Sequence, residues 1–244
     1  MIANYSDLKN KNILIIGATS GIGLQCATDL NQQGSNLYLV GRSKEKIKTL
    51  KENLSSHKCF QMDITDTEKI IQLIDQLPDI DGVVFSIGTN KPILTKYIKE
   101  EDILYQFNVN LFSIINVVAV LQKKKKLKES SSLVFLSSAV TKYPFVGGAL
   151  YTSSKLALEG YVKVLALELS SKKIRANCIA PNFVRTPFLG ENEKYLLEEA
   201  VEKHKNIHLL GMGEPEDVAQ NVLYLLSDAS KWVSGSTIYL GGGV

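Results

Sequence analysis

The chain has 244 residues and a formal net charge of +3, with 45% hydrophobic and 22% charged residues. That length suits one substantial core rather than two ordinary domains, so 1–244 is read as a single domain. The composition excludes a disordered or fibrous chain, and no apolar run is read as reaching the ~20 residues of a membrane helix.

Met1–Lys11 is polar and lacks the apolar core of a signal peptide, so a cytoplasmic location is expected. Cys26, Cys59 and Cys178 are scattered, with no CxxC pair. Neither a zinc site nor a disulfide framework follows from them, and a reducing compartment fits.

The first predicted strand, Ile13–Ile16, runs directly into Gly17-Ala18-Thr19-Ser20-Gly21-Ile22-Gly23 and a helix near 22–33. Glycine permits a sharp turn and close backbone approach, and a helix N-terminus offers free N–H groups to a phosphate. No G-K-[ST] follows, so the turn is not a P-loop. The second strand, Asn36–Val40, ends at Gly41-Arg42-Ser43-Lys44 before a helix near 44–54. A carboxylate at that strand end would hydrogen-bond a ribose 2′-hydroxyl. Gly41 stands there instead, and Arg42 beside it has the fork geometry for a 2′-phosphate.

A weaker strand, Lys58–Gln61, precedes Asp63 and a helix near 67–76; Asp63 or Asp66 could cap that helix. Strand Val83–Ser86 leads to Gly88. One helix is predicted over 101–127, closed by the lysines of 123–128. Removing those five lysines from the balance of +3 would leave −2. The basic excess is therefore local, and no aromatic residues interleave it as a nucleic-acid platform would need. Further on come strand Leu133–Leu136, a helix over 151–170, strand Ile174–Ile179, a helix over 215–227 and strand Thr237–Leu240. The irregular 182–213, with a short helical run Glu193–His204, has the place of a substrate lid. The alternation predicts an α/β fold: a doubly wound parallel sheet with helices on both faces.

Tyr151 and Lys155 are four residues apart and share a helix face. A tyrosine titrates near ~10, and an adjacent ammonium should lower that value. Ser138 precedes them at the end of a strand. His204 and His208 also have i, i+4 spacing, but no third ligand is near, so no metal site is expected.

Gly17-x-x-x-Gly21-x-Gly23, Asp63, Asn110, Ser138, Tyr151-x-x-x-Lys155, Pro181 and Thr186 occur in the order and spacing of one family. Over nearly its full length the chain resembles the short-chain dehydrogenase/reductases, and it is similar to 3-oxoacyl-[acyl-carrier-protein] reductases. The resemblance implies a single Rossmann-type domain and hydride transfer between a nicotinamide cofactor and a ketone or alcohol. It assigns catalysis to Asn110, Ser138, Tyr151 and Lys155. Tyr151 would donate the proton, Ser138 polarise the carbonyl, Lys155 hold the nicotinamide ribose, and Asn110 hold a water. Cofactor contacts are implied for Gly17, Thr19, Ser20, Gly21, Ile22, Gly23, Arg42, Asp63, Ile64, Gly88, Tyr151, Lys155, Pro181, Val184 and Thr186. Gly41 and Arg42 favour NADP(H).

The chain departs from the family at Ser86-Ile87-Gly88, at Asn182 after Pro181, and at Tyr239-Leu240-Gly241, which lacks the usual aspartate. The substrate is expected to be a small-molecule ketone or a 3-oxoacyl group on acyl carrier protein, docked by Lys123–Lys128 with Lys172 and Lys173. The alternatives are a sugar or other secondary-alcohol dehydrogenase, and a non-enzymatic NADP sensor. Apolar outer faces on the helices over 151–170 and 103–121 point to a homotetramer or homodimer. No nucleic acid or membrane partner is expected.

Overall fold

The computed structural model describes residues 5–54, 57–188 and 209–241. Seven strands form one sheet: β1 Asn12–Ile16, β2 Asn36–Gly41, β3 Lys58–Gln61, β4 Ile80–Phe85, β5 Leu127–Leu136, β6 Arg175–Pro181 and β7 Thr237–Leu240. Every pairing is parallel, in the order β3-β2-β1-β4-β5-β6-β7. The helices are α1 Gly21–Gln32, α2 Lys44–Asn53, α3 Thr67–Asp75, α4 Glu100–Phe107, α5 Ser113–Lys123, α6 Ala149–Glu168 and α7 Pro215–Leu226.

The central strands β1, β4 and β6 are buried on both faces, as parallel strands covered by helices on each side are. In β1 the two faces still separate: Leu14 and Ile16 pack with α3, α5 and α6, while Ile13 and Ile15 pack with α1, α2 and α7. Fully burying one such side chain is worth roughly 1.5–3 kcal/mol. The strand order reverses between β1 and β4, and the crevice at their carboxyl ends is where doubly wound sheets bind ligands.

Three expectations change. The single helix over 101–127 is two helices, α4 and α5, joined by a π-helical turn at Asn108–Phe112. The lysine run does not simply close it: Lys123 ends α5, Lys125 is left-handed at φ 54, and Lys128 already belongs to β5. Lys124 pairs with Asp75, Lys126 donates to the Leu77 carbonyl, and Lys128 pairs with Asp81 at 3.0 Å. These lysines therefore brace the lower edge of the sheet. Finally, Glu100–Lys123 is long and apolar enough by composition to cross a membrane. Here Ile114, Val117, Val118 and Leu121 are buried against the sheet. Glu193–His204 and His208, read as part of a lid, lie outside the described residues.

Candidate active site

Above the β1–β4 reversal opens a cavity of about 980 Å³. Gly17, Thr19, Ser20, Gly21, Ile22, Arg42, Asp63, Ile64, Gly88, Ser138, Tyr151, Lys155, Pro181, Val184 and Thr186 all line it. Gly23 and Asn110 do not, and each has a supporting place instead.

The glycine turn is shaped by contacts that a side chain would break. At Gly17 φ is +91°, and a Cβ there would sit 2.2 Å from the Ser86 carbonyl oxygen. A Cβ at Gly23 would lie 2.1 Å from the Gly17 carbonyl oxygen, so Gly23 lets α1 close on β1. Ser20 begins α1 in extended conformation, and its side chain makes no cap. The first-turn N–H groups of α1 are thus left for an anion in the cavity, as a pyrophosphate requires. Thr186 and Pro187 fold over Gly21 from the opposite wall.

At the end of β2, Gly41 is covered by Thr19: a Cβ at 41 would be 2.3 Å from Thr19 Cγ2 and 3.2 Å from its Cβ. Any side chain at position 41 would have to displace this threonine. Arg42 and Lys46 both face the cavity, whereas Lys44, nearer to Arg42 in sequence, does not line it. Arg42 makes no ion pair among the described residues, whereas Ser43 is occupied, capping Lys46 N and donating to Glu45 at 2.9 Å. Asp63 does not cap α3. It accepts from Thr65 N and Thr65 Oγ1 at 2.9 and 2.8 Å, and Asp66 is the cap.

Ser138 lies just past β5, and Tyr151 and Lys155 lie on the first turns of α6. The Ser138 hydroxyl lies beside the Tyr151 phenol, close enough to favour its ionised form. Lys155 is 2% exposed, and its Nζ donates to the Leu136 carbonyl at 2.7 Å and lies 5.9 Å from the Tyr151 ring centre. Burial pushes the Tyr151 phenol up to about 12, only partly offset by Ser138. This reverses the expectation that Lys155 would lower it: desolvation of the phenol prevails, because the ammonium is turned toward Leu136. Burial also brings Lys155 down to about 8, against the opposing influence of Cys178 and Glu159. At neutral pH Tyr151 therefore holds its proton and Lys155 its charge.

Asn110 is fully buried in the π-helical turn. Its Oδ1 accepts from Thr89 N at 2.8 Å, and its Nδ2 donates to the Thr89 carbonyl and to Ser154 Oγ, both at 3.0 Å. Gln106 Nε2 donates to the same Thr89 carbonyl. The Asn110 side chain thus fixes the strand-end segment carrying Gly88, close to Lys155: a Cβ at Gly88 would lie 3.5 Å from Lys155 Nζ and 3.6 Å from Asn110 Oδ1. On the Tyr151 side the wall is apolar, built from Pro92, Val140, Pro144, Phe145, Val146 and Phe188. Bulky apolar residues in loops carry no motif, so this wall is not legible in the sequence. Among the described residues no cluster suited to a metal ion occurs.

Residues 17–244 match the family model described as "Enoyl-(Acyl carrier protein) reductase". The chain is 32% identical to the 3-oxoacyl-[acyl-carrier-protein] reductase of Rickettsia felis, over 98% of both chains. It is 31% identical to that of Thermotoga maritima, over 97% of this chain and 98% of the relative. Among solved structures, a short-chain dehydrogenase/reductase of Brucella melitensis superposes with a TM-score of 0.90 at 24% identity, covering 99% of this chain and 98% of that one. That likeness concerns the fold. The sequence matches join the cavity's geometry in one conclusion: the chain belongs to the short-chain dehydrogenase/reductases, a family of oxidoreductases that use a nicotinamide cofactor.

Proposed function

We propose that this protein is an NADPH-dependent ketone reductase, acting on 3-oxoacyl thioesters borne by acyl carrier protein. The observation carrying the reading is the placement of Ser138, Tyr151 and the buried Lys155 together on the wall of one open cavity. The cofactor residues fit: the free N–H groups of α1 would take the pyrophosphate, Arg42 and Lys46 a 2′-phosphate, and Asp63 the adenine side. When bound, the nicotinamide supplies hydride to the carbonyl carbon.

The protein's own residues do the rest. Ser138 and Tyr151 direct two hydroxyl groups at the carbonyl oxygen, where negative charge develops. Tyr151, protonated across the neutral range, gives its proton to that oxygen. The Lys155 charge, 5.9 Å from the Tyr151 ring centre, then attracts the phenolate left behind, an attraction worth most in a desolvated site. Asn110 and Gln106 keep the Gly88–Thr89 segment in place under these groups.

The apolar wall beside Tyr151 favours an acyl chain over a sugar, whose hydroxyls would find few partners there. Two of the relatives above are named as 3-oxoacyl-[acyl-carrier-protein] reductases, which supports the same substrate. Three of the five lysines of 123–128 are engaged in bonds at the sheet's lower edge, so a carrier protein would rely on Lys123, Lys125, Lys172 and Lys173. Exposed Leu156, Val164 and Leu167 on α6, with Leu104, Tyr105 and Phe112 near the π-helical turn, fit a homotetramer or homodimer. NADPH absorbance should fall steadily with a 3-oxoacyl thioester and hold with keto-sugars; the reverse pattern would replace this reading with a sugar dehydrogenase.

A further inference from the structure

One turn beyond Lys155, Glu159 is buried and bound on three sides. Ser137 Oγ donates to its Oε1 at 2.6 Å, and Thr141 Oγ1 donates to the same oxygen at 3.0 Å. Tyr239 OH donates to Oε2 at 3.2 Å, while Lys142 Nζ sits 3.8 Å over the Tyr239 ring. Thr141 Oγ1 also lies within hydrogen-bond reach of the Ser138 carbonyl and of Tyr239 OH. A single carboxylate thus joins α6, the turn after β5 and β7. That turn carries Ser138, and Glu159 faces Lys155 along one helix stripe. Buried carboxylates are costly and persist when paired or fully hydrogen-bonded. Here the partners are the groups that flank the chemistry.

We propose that Glu159 is a positioning residue: its carboxylate holds the 137–141 turn so that Ser138 meets Tyr151, and its charge keeps the buried Lys155 cationic. The proposal rests on the reading that Ser138, Tyr151 and Lys155 perform the reaction. Lys155 faces Tyr151 and Glu159 on α6, the Leu136 carbonyl on β5 and Cys178 on β6. Cys178 is a neutral thiol in this range, since burial raises it to about 12. Glu159 is therefore the anion that opposes the desolvation of Lys155.

The test is Glu159→Gln, which keeps an acceptor for Ser137 and Thr141 and removes the charge. The titration of Lys155 is followed by NMR on protein carrying carbon-13-labelled lysine, with the resonance assigned through Lys155→Arg. The wild-type midpoint is expected near about 8. Without the neighbouring anion the ammonium is disfavoured, so the variant's midpoint should fall measurably below that of the wild type. The high-pH limb of kcat should move by the same amount, with KM for the ketone unchanged. An unmoved Lys155 midpoint overturns the proposal, and it does so whether or not the protein reduces any ketone. If Glu159→Gln fails to fold, Glu159→Asp keeps the charge but draws it back, and a smaller fall is expected. Failure of both to fold shows a purely structural role and also overturns it.

Discussion

Replacing Lys155 by methionine should make the protein more stable while ending its activity. The ammonium is buried, and its pKa falls from 10.5 to about 8. At 1.36 kcal/mol per unit, keeping it charged at pH 7 costs about 3 kcal/mol. Methionine fills a similar volume and demands no solvation. Losing the 2.7 Å bond to the Leu136 carbonyl takes back about 1–2 kcal/mol. The net gain of about 1–2 kcal/mol corresponds to a rise in Tm of roughly 4 °C for a domain of this size. The gain should also depend on pH. The folded-state pKa lies below the unfolded one, so the penalty is complete below about 8, shrinks as pH rises and is gone by 10.5. Differential scanning calorimetry of both proteins from about pH 6.5 to 10 would show the two melting temperatures converging. A variant that melts below the wild type at neutral pH, or a gap that ignores pH, would refute the reasoning.

Tyr151→Phe should abolish ketone reduction and leave NADPH binding largely intact by fluorescence titration; near-normal turnover would remove Tyr151 as proton donor. Arg42→Ala should weaken NADPH about 10- to 100-fold, the worth of a charge-assisted pair, and barely change NADH; equal losses for both would reject the 2′-phosphate assignment. Leu167→Glu, at a position 75% exposed on α6, should shift the protein to smaller species in sedimentation velocity at micromolar concentration. A wild type that is already monomeric there would count against an assembled form.

Much of the architecture was legible because strand and helix periods differ and the glycine turn is a backbone requirement. Gly17, Gly21 and Gly23 occupy places where a Cβ collides or φ is positive, so the spacing itself carries the information. The π-helical turn at Asn108–Phe112 was not legible, since the apolar spacing runs through it unbroken and only backbone hydrogen bonds reveal it. The start of β5 was hidden by the lysine run, which looks like a helix end until Asp75 and Asp81 are seen opposite it. In the site, the serine, tyrosine and lysine were readable as types at a spacing. Their ionisation was not, because the Tyr151 phenol answers to burial, and burial belongs to the assembled fold. Glu159 escaped notice for the same reason: a glutamate on a helix is ordinarily solvated, and its partners lie on β7 and beyond β5.

The threonine lying over Gly41 sets an order for any change of dinucleotide preference. Introducing aspartate at 41 first drives its Cβ into Thr19, and rotating that side chain trades one branch for another around a Cβ already 3.2 Å away. Trimming Thr19 to alanine first opens the space. A route from one dinucleotide to the other therefore passes through position 19 before position 41. The single aspartate variant should be less stable than the same aspartate introduced beside Thr19→Ala.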